Sequence, residues 1–218
     1  MALIHYAGIG SRETPPQTLN FMQRLANRFA ELGFVLRSGA AIGADQAFES
    51  GCDDAHGAKE IWLPFEGFEK HQSQLYPSAA AFEMASQHHP VWHKLSNRFR
   101  AMHARNCHQV LGADLKTPVN FVVCWTKDGC ESKEHRTDDT GGTGTAIEVA
   151  SVNRIPVFNL ANEDAMPRLT ELVETIKTRL ANKAVQEAVS EEDHYDEFIK
   201  AVIDIFDATV FSYKRHGE

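Results

Sequence analysis

Chemistry in this chain concentrates where glycine, threonine and a carboxylate share one short stretch, Asp139-Thr140-Gly141-Gly142-Thr143-Gly144-Thr145-Ala146-Ile147-Glu148-Val149-Ala150. It follows Asn120-Phe121-Val122-Val123-Cys124-Trp125, an apolar run typical of a buried parallel strand, across a polar loop over 126–139. A glycine-rich turn that opens a helix presents backbone N–H groups with no intrahelical acceptor, and the helix dipole adds positive potential there. Missing Cβ atoms let a ligand approach, while Thr143 and Thr145 offer hydroxyl donors. The expectation is an anion site, most simply for phosphate, although such turns also serve as plain tight connections. Glu148 falls about one turn into the helix, near whatever that phosphate carries.

Two earlier glycine turns support this reading. Leu3-Ile4-His5-Tyr6-Ala7 reads as a strand entering Gly8-Ile9-Gly10-Ser11-Arg12-Glu13. Phe34-Val35-Leu36-Arg37 reads as a second strand, entering Ser38-Gly39-Ala40-Ala41-Ile42-Gly43-Ala44-Asp45. Gly8-x-Gly10 invites a dinucleotide fingerprint, but Glu13 occupies the third glycine position. Arg37-Ser38-Gly39 also stands where an acidic ribose-binding residue belongs, which excludes NAD-type hydride transfer. No other cofactor is implied.

Further along, Leu95, Phe99, Met102, Cys107, Val110 and Leu111 predict a helix over 96–112 that carries Arg98, Arg100 and Arg105. A helical arginine is ordinarily solvated; one reaching the strand ends clamps a phosphate or carboxylate. His71, His88, His89 and His93 lack acidic or cysteine partners at ligand spacing, so stacking or surface histidines are expected and no metal site.

The elements that must position these residues alternate. Leu19, Met22, Leu25, Ala26, Phe29 and Leu32 recur at helical spacing between an N-cap at Thr14, with Pro15 as first helical residue, and a stop at Gly33. A second helix carries Ala47, Phe48 and Ala55; Lys59–Pro64 and Ile155–Leu160 read as further strands. Residues 65–95 read as a loop with a short helix, a lid over the strand ends, and loop 126–139 as a mobile segment able to fold over a ligand. This pattern predicts an α/β, Rossmann-like open and mostly parallel sheet with helices on both faces, plus C-terminal helices. The organisation expected is a nucleotide-binding α/β domain over 1–160 and a helical extension over 161–218. The extension packs on that domain or on a partner subunit. One apolar stripe is Leu169, Leu172, Val173, Ile176 and Leu180. A second, Phe198, Ala201, Val202, Ile205 and Phe206, follows the acidic break at 190–193 and needs cover, which predicts a homodimer or higher oligomer.

Composition bounds the rest. At 43% hydrophobic and 24% charged the 218-residue chain is globular, without a run able to span a bilayer. Met1–Gly8 lacks the basic start of a signal peptide. Cys52, Cys107, Cys124 and Cys130 form no CxxC pair and read as reduced thiols in a cytoplasmic protein. A formal net charge of −8 argues against nucleic acid as a partner.

The glycine turns together resemble those of the SLOG superfamily, whose relatives include the Lonely Guy phosphoribohydrolases and the DprA family. Lonely Guy proteins carry PGGxGTxxE, and residues 140–148 match it with Thr140 in place of proline. Their MxxRK helix is matched by Met102-His103-Ala104-Arg105-Asn106, with asparagine in place of lysine. Ser38-Gly39-Ala40-Ala41-Ile42-Gly43-Ala44-Asp45 is similar to the DprA turn SGxAxGxD, and Gly8–Arg12 to the first-strand turn of both. The resemblance covers residues 1–160. It implies cleavage of the N-glycosidic bond of a nucleoside 5′-monophosphate or related nucleotide, with Glu148 as the catalytic carboxylate and Arg105 orienting it or the substrate. Phosphate would rest on Gly141, Gly142, Thr143, Gly144 and Thr145, helped by Ser11, Arg12, Ser38 and Gly39. A non-catalytic binder or sensor of a nucleotide or ADP-ribose-like signal is the alternative, and DprA-like binding of single-stranded DNA a further one.

Overall fold

The computed structural model describes residues 3–183. They divide into two units, the first ending at Met166 and the second beginning at Pro167. Five parallel strands form the sheet of the first unit: β1 (His5–Gly8), β2 (Val35–Ser38), β3 (Lys59–Ile61), β4 (Phe121–Cys124) and β5 (Val157–Asn159). Their spatial order is β3-β2-β1-β4-β5. Five α-helices connect and cover them: α1 (Pro16–Glu31), α2 (Ala44–Asp54), α3 (Ala79–His88), α4 (Asn97–Leu111) and α5 (Gly144–Val152). From β1 the chain moves one way to β2 and β3, then returns to the other side for β4 and β5. The order therefore reverses between β1 and β4, and a crevice opens at the carboxyl ends of these two strands. The sheet is wholly parallel and the fold is Rossmann-like.

Strand alternation decides which helices cover which face. Tyr6 and Phe121 point to one side, where Phe29 of α1 and Phe48 of α2 meet Tyr6 edge-on at ring centroid distances of 4.8 and 6.3 Å. Phe34 and Phe158 complete this aromatic cluster against Phe121. Ala7, Val122, Cys124 and Val157 face the opposite side, sharing a core with Ala81 and Ala85 of α3, Ala104 and Cys107 of α4, and Ala146 and Val149 of α5. Each large apolar side chain so buried contributes roughly 1.5–3 kcal/mol.

Several local expectations shift. Helix α1 begins one residue later than predicted, because the Thr14 hydroxyl donates back to Ser11 O at 2.7 Å and leaves Pro15 as the cap. Loop 126–139 is stitched down rather than free. Asp128 accepts from the Thr126 hydroxyl at 2.7 Å, the Thr137 hydroxyl at 2.6 Å, the Cys130 N–H at 3.2 Å and the Thr140 hydroxyl. Asn159, at the end of β5, donates to Thr126 Oγ1 at 2.6 Å and Cys130 O at 2.9 Å. In the second unit the chain is helical to residue 183, with Leu169, Val173 and Ile176 buried along one stripe. The second predicted stripe, Phe198 to Phe206, lies outside the described residues. No helix among them is long and apolar enough to cross a membrane.

Candidate functional site

The crevice between β1 and β4 holds a cavity of about 280 Å3. Its walls are the turn after β1 (Gly10, Ser11, Arg12), the start of α2 (Asp45), the turn before α5 (Thr140, Gly142, Thr143) and one face of α4. Predicted residues that line it are thus Gly10, Ser11, Arg12, Asp45, Arg105, Thr140, Gly142 and Thr143. Gly8, Ser38, Gly39, Gly43, Gly141, Gly144, Thr145 and Glu148 are not part of its lining. Ser38 is fully buried and donates to Gly8 O at 2.7 Å, locking β2 to β1.

Polar side chains of the wall form a continuous relay joining the second and third glycine turns. Asn106 donates to Gly142 O at 2.9 Å. The Gln109 amide donates to Asn106 Oδ1 at 3.0 Å, and its carbonyl accepts from Gly39 N at 3.0 Å and Arg105 Nη1 at 2.5 Å. Arg105 Nη1 also donates to Asp45 Oδ2 at 2.9 Å, and that oxygen accepts from Ala41 N at 3.4 Å. Arg105 and Asp45 are both buried, so the pair persists only because each charge neutralises the other. Arg105 Nε, however, is buried with no hydrogen-bond partner. Arg12 is exposed in the same cavity and makes no ion pair among the described residues. Arg98 and Arg100 lie elsewhere: Arg98 sits 4.7 Å over the Phe65 ring, and Arg100 donates to Trp92 O and His93 O.

The glycines separate into two kinds. A Cβ on Gly39 would lie 1.1 Å from Arg105 Nη1, one on Gly10 2.7 Å from Ala44 Cβ, and one on Gly43 2.8 Å from Ser11 O. One on Gly8 would strike the Phe48 ring at 2.6 Å, and one on Gly144 the Arg136 Nε at 2.5 Å. These five glycines are therefore required by the protein's own packing, not by ligand approach. Gly141 and Gly142 alone in the site have nothing within 4 Å of the missing Cβ, and Gly141 takes a positive φ of 60° that favours glycine. The expected phosphate approach is geometrically open only at this turn.

Glu148, expected beside the ligand, lies outside the cavity lining. Its Oε1 is 3.2 Å from His88 Nδ1 and 3.3 Å from Lys133 Nζ, and its Oε2 is 3.0 Å from Arg136 Nη1. Burial acts to raise its pKa, but the hydrogen bonds from His88, Lys133 and Arg136 outweigh it and the carboxyl is held below its ordinary value. Arg136, in loop 126–139, is thus the arginine that holds Glu148, while Arg105 holds Asp45. Between this cluster and the cavity stands His103, which lines the cavity and sits 2.8 Å from Thr145 Oγ1. Burial, then the neighbouring His89, Arg136 and Arg105, push its pKa down to about 3, so the ring is neutral.

Of the histidines expected to stack or lie at the surface, His89 meets the His103 ring edge-on at 4.3 Å, whereas His71 and His88 are half-buried against Glu49 and Glu148. His108 stacks on Trp62 with centroids 4.3 Å apart, and its Nδ1 donates to Gly112 O at 2.8 Å, leaving Nε2 to accept from Ser78 N at 3.0 Å. Among the described residues, no His, Cys, Asp and Glu grouping could hold a metal ion. Nor does any residue of 65–95, the expected lid, line the cavity. Phe99, His103 and Gln109 line the cavity without having been singled out as site residues, and Phe99, part of the apolar pattern of the predicted helix, is 58% exposed. Positions 99, 102, 103 and 106 repeat at i, i+3, i+4, i+7, so one helical face carried the signal.

No protein-family model matches this chain, and no curated protein matches it. Solved structures do. DNA processing protein A from Helicobacter pylori, described for its single-stranded DNA binding mode, is 18% identical, with a TM-score of 0.46 over 82% of this chain and 81% of that one. The molybdenum cofactor carrier protein from Chlamydomonas reinhardtii is 15% identical, with a TM-score of 0.38 over 80% of this chain and 99% of that one. Neither likeness bears on what this chain binds.

Proposed function

We propose that this chain is a nucleotide-binding protein of the SLOG type, which holds a phosphate-bearing nucleotide or nucleotide-derived small molecule without cleaving it. The observation that carries this reading is an open glycine turn, whose Gly142 lines the cavity, on the same cavity as the unpaired Arg12 guanidinium. Backbone N–H groups at a helix start and a free guanidinium are complementary to phosphate oxygens. Arg105 is charge-balanced by Asp45 and holds the α2 side of the same cavity in place. Hydrolysis needs a carboxylate beside the sugar to stabilise an oxocarbenium-like state. Both oxygens of Glu148 are instead held by cations outside the cavity lining, which favours binding over turnover.

The test is incubation with a panel of nucleoside phosphates and ADP-ribose, followed by denaturation and chromatography. Intact ligand recovered from the protein is the expected result. Release of free base by the parent protein, lost in Glu148→Gln, would overturn the binding reading in favour of an N-glycosidase. Tight, steeply salt-dependent binding of an oligonucleotide would replace both with a single-stranded DNA function. Arg12→Ala should weaken phosphate-bearing ligands roughly 10- to 100-fold, the value of a charge-assisted hydrogen bond. Unchanged affinity in that variant, measured by calorimetry, would remove Arg12 from the site.

A further inference from the structure

We infer that Phe99 is a stacking platform through which the cavity selects a ligand carrying a planar base over the same sugar phosphate without one. This rests on the phosphate-bearing ligand proposed above and assigns its other end. Phe99 lines the cavity yet is 58% exposed, and no ring or cation among the described residues covers it. Ile9, Ala41 and Met102 also line the cavity, but Phe99 is the one Phe, Tyr or Trp ring in its lining among the described residues. An aromatic face left open in the same cavity as charged and hydrogen-bonding groups is what a nucleobase stacks on.

Spacing along α4 supports this assignment. Phe99 stands in the first turn of the helix, and Asn106, which holds Gly142 O, is seven residues further on. A rise of 1.5 Å per residue separates them by about 10 Å along the axis, comparable to the reach from phosphate to base in one nucleotide. Met102 and the neutral His103 fill the wall between them, offering a polarisable thioether and an uncharged ring rather than a competing cation. The cavity, about 280 Å3, lies near the lower bound of roughly 300–1,000 Å3 for small-molecule sites, room for one nucleotide and not two. Stacking tolerates any base, so the preference is for the presence of a base and not its identity.

Calorimetric titration of the full chain with adenosine 5′-monophosphate and with ribose 5-phosphate tests the assignment. The parent should bind the nucleotide roughly 5- to 150-fold more tightly than the sugar phosphate, the range for one stacked base. Phe99→Ala should collapse that ratio towards one while leaving the ribose 5-phosphate affinity unchanged, and Phe99→Trp should restore it. Equal affinities in the parent, or a ratio that survives Phe99→Ala, would overturn the stacking role while leaving phosphate binding intact. A change of particle mass in Phe99→Ala by light scattering would assign the ring to a subunit contact instead. Failure of the parent to bind either ligand would overturn the binding reading along with this one.

Discussion

At the scale of single residues, the strongest constraint is the buried Asp45–Arg105 pair, 2.9 Å apart. Removing one partner strands a charge in the interior, at a cost of about 3–5 kcal/mol, whereas removing both is far milder. Arg105→Met should therefore lower the melting temperature by roughly 6–20 °C, at 2–4 °C per kcal/mol for a chain of this size. The double variant Arg105→Met/Asp45→Asn should recover much of the loss. A double variant as unstable as the single one would show that the pairing is not what holds the two side chains. His103 supplies a pH dependence of known sign. Its folded pKa is pushed down to about 3, so below an ordinary value near 6.5 the unfolded chain binds a proton that the folded chain refuses. Stability is fully present above pH 6.5 and declines as pH falls from there towards 3, by at most about 1.4 kcal/mol per unit from this one group. His5, His89 and His108 are lowered as well and add to the slope. Thermal melts between pH 7.5 and 5 should show a shallower decline for His103→Asn than for the parent, and parallel profiles would exclude His103 as a contributor.

At the scale of elements, Asp128 organises the loop that the sequence suggested was mobile. Burial acts to raise its pKa, yet the hydroxyls of Thr137, Thr140 and Thr126 and the Cys130 N–H bring it down to about 2. The carboxylate so stabilised contributes fully above about pH 4, the ordinary Asp value, and its contribution is lost as pH falls through 2. Thr137 and Thr140 form a reciprocal cap on the turn that carries Gly141 and Gly142, so Asp128 positions the cavity wall from behind. In Asp128→Ala, amide hydrogen exchange over 126–143 should accelerate roughly tenfold or more, matching the loss of about 1.4 kcal/mol of local hydrogen bonding. Protection in α1 and α2, on the opposite face of the sheet, should not move. A uniform loss across all elements would mean that Asp128 supports the whole fold and not this turn. The same loop supplies Lys133 and Arg136 to Glu148. That insertion is legible as a charged segment, but nothing in its order indicates that two of its cations reach one carboxylate on α5.

At the scale of the whole molecule, the apolar stripe Phe198, Val202, Ile205 and Phe206 lies outside the described residues and remains a proposal about assembly. Each large side chain of that stripe left in water forgoes roughly 1.5–3 kcal/mol, which favours a second copy of the chain as its cover. Light scattering should report a dimer or larger particle that dissociates when the chain is truncated near Ser190; an unchanged number of copies per particle in the truncated form would end the idea. Residue order alone determined the alternation of strands and helices, the turns at 8–13, 38–45 and 139–144, and a crevice at the strand ends. Apolar period and turn chemistry are local properties, so they survive without knowledge of neighbours. Tertiary structure decided which groups meet across 36, 42 and 60 residues of chain: Asn106 with Gly142, His103 with Thr145, and Arg105 with Asp45. It also decided that Gly8, Gly10, Gly39 and Gly43 yield room to the protein itself while the space beside Gly141 and Gly142 stays open. A missing side chain leaves the same mark in a sequence whichever neighbour fills the space, and charge pairing depends on which helix faces turn towards each other.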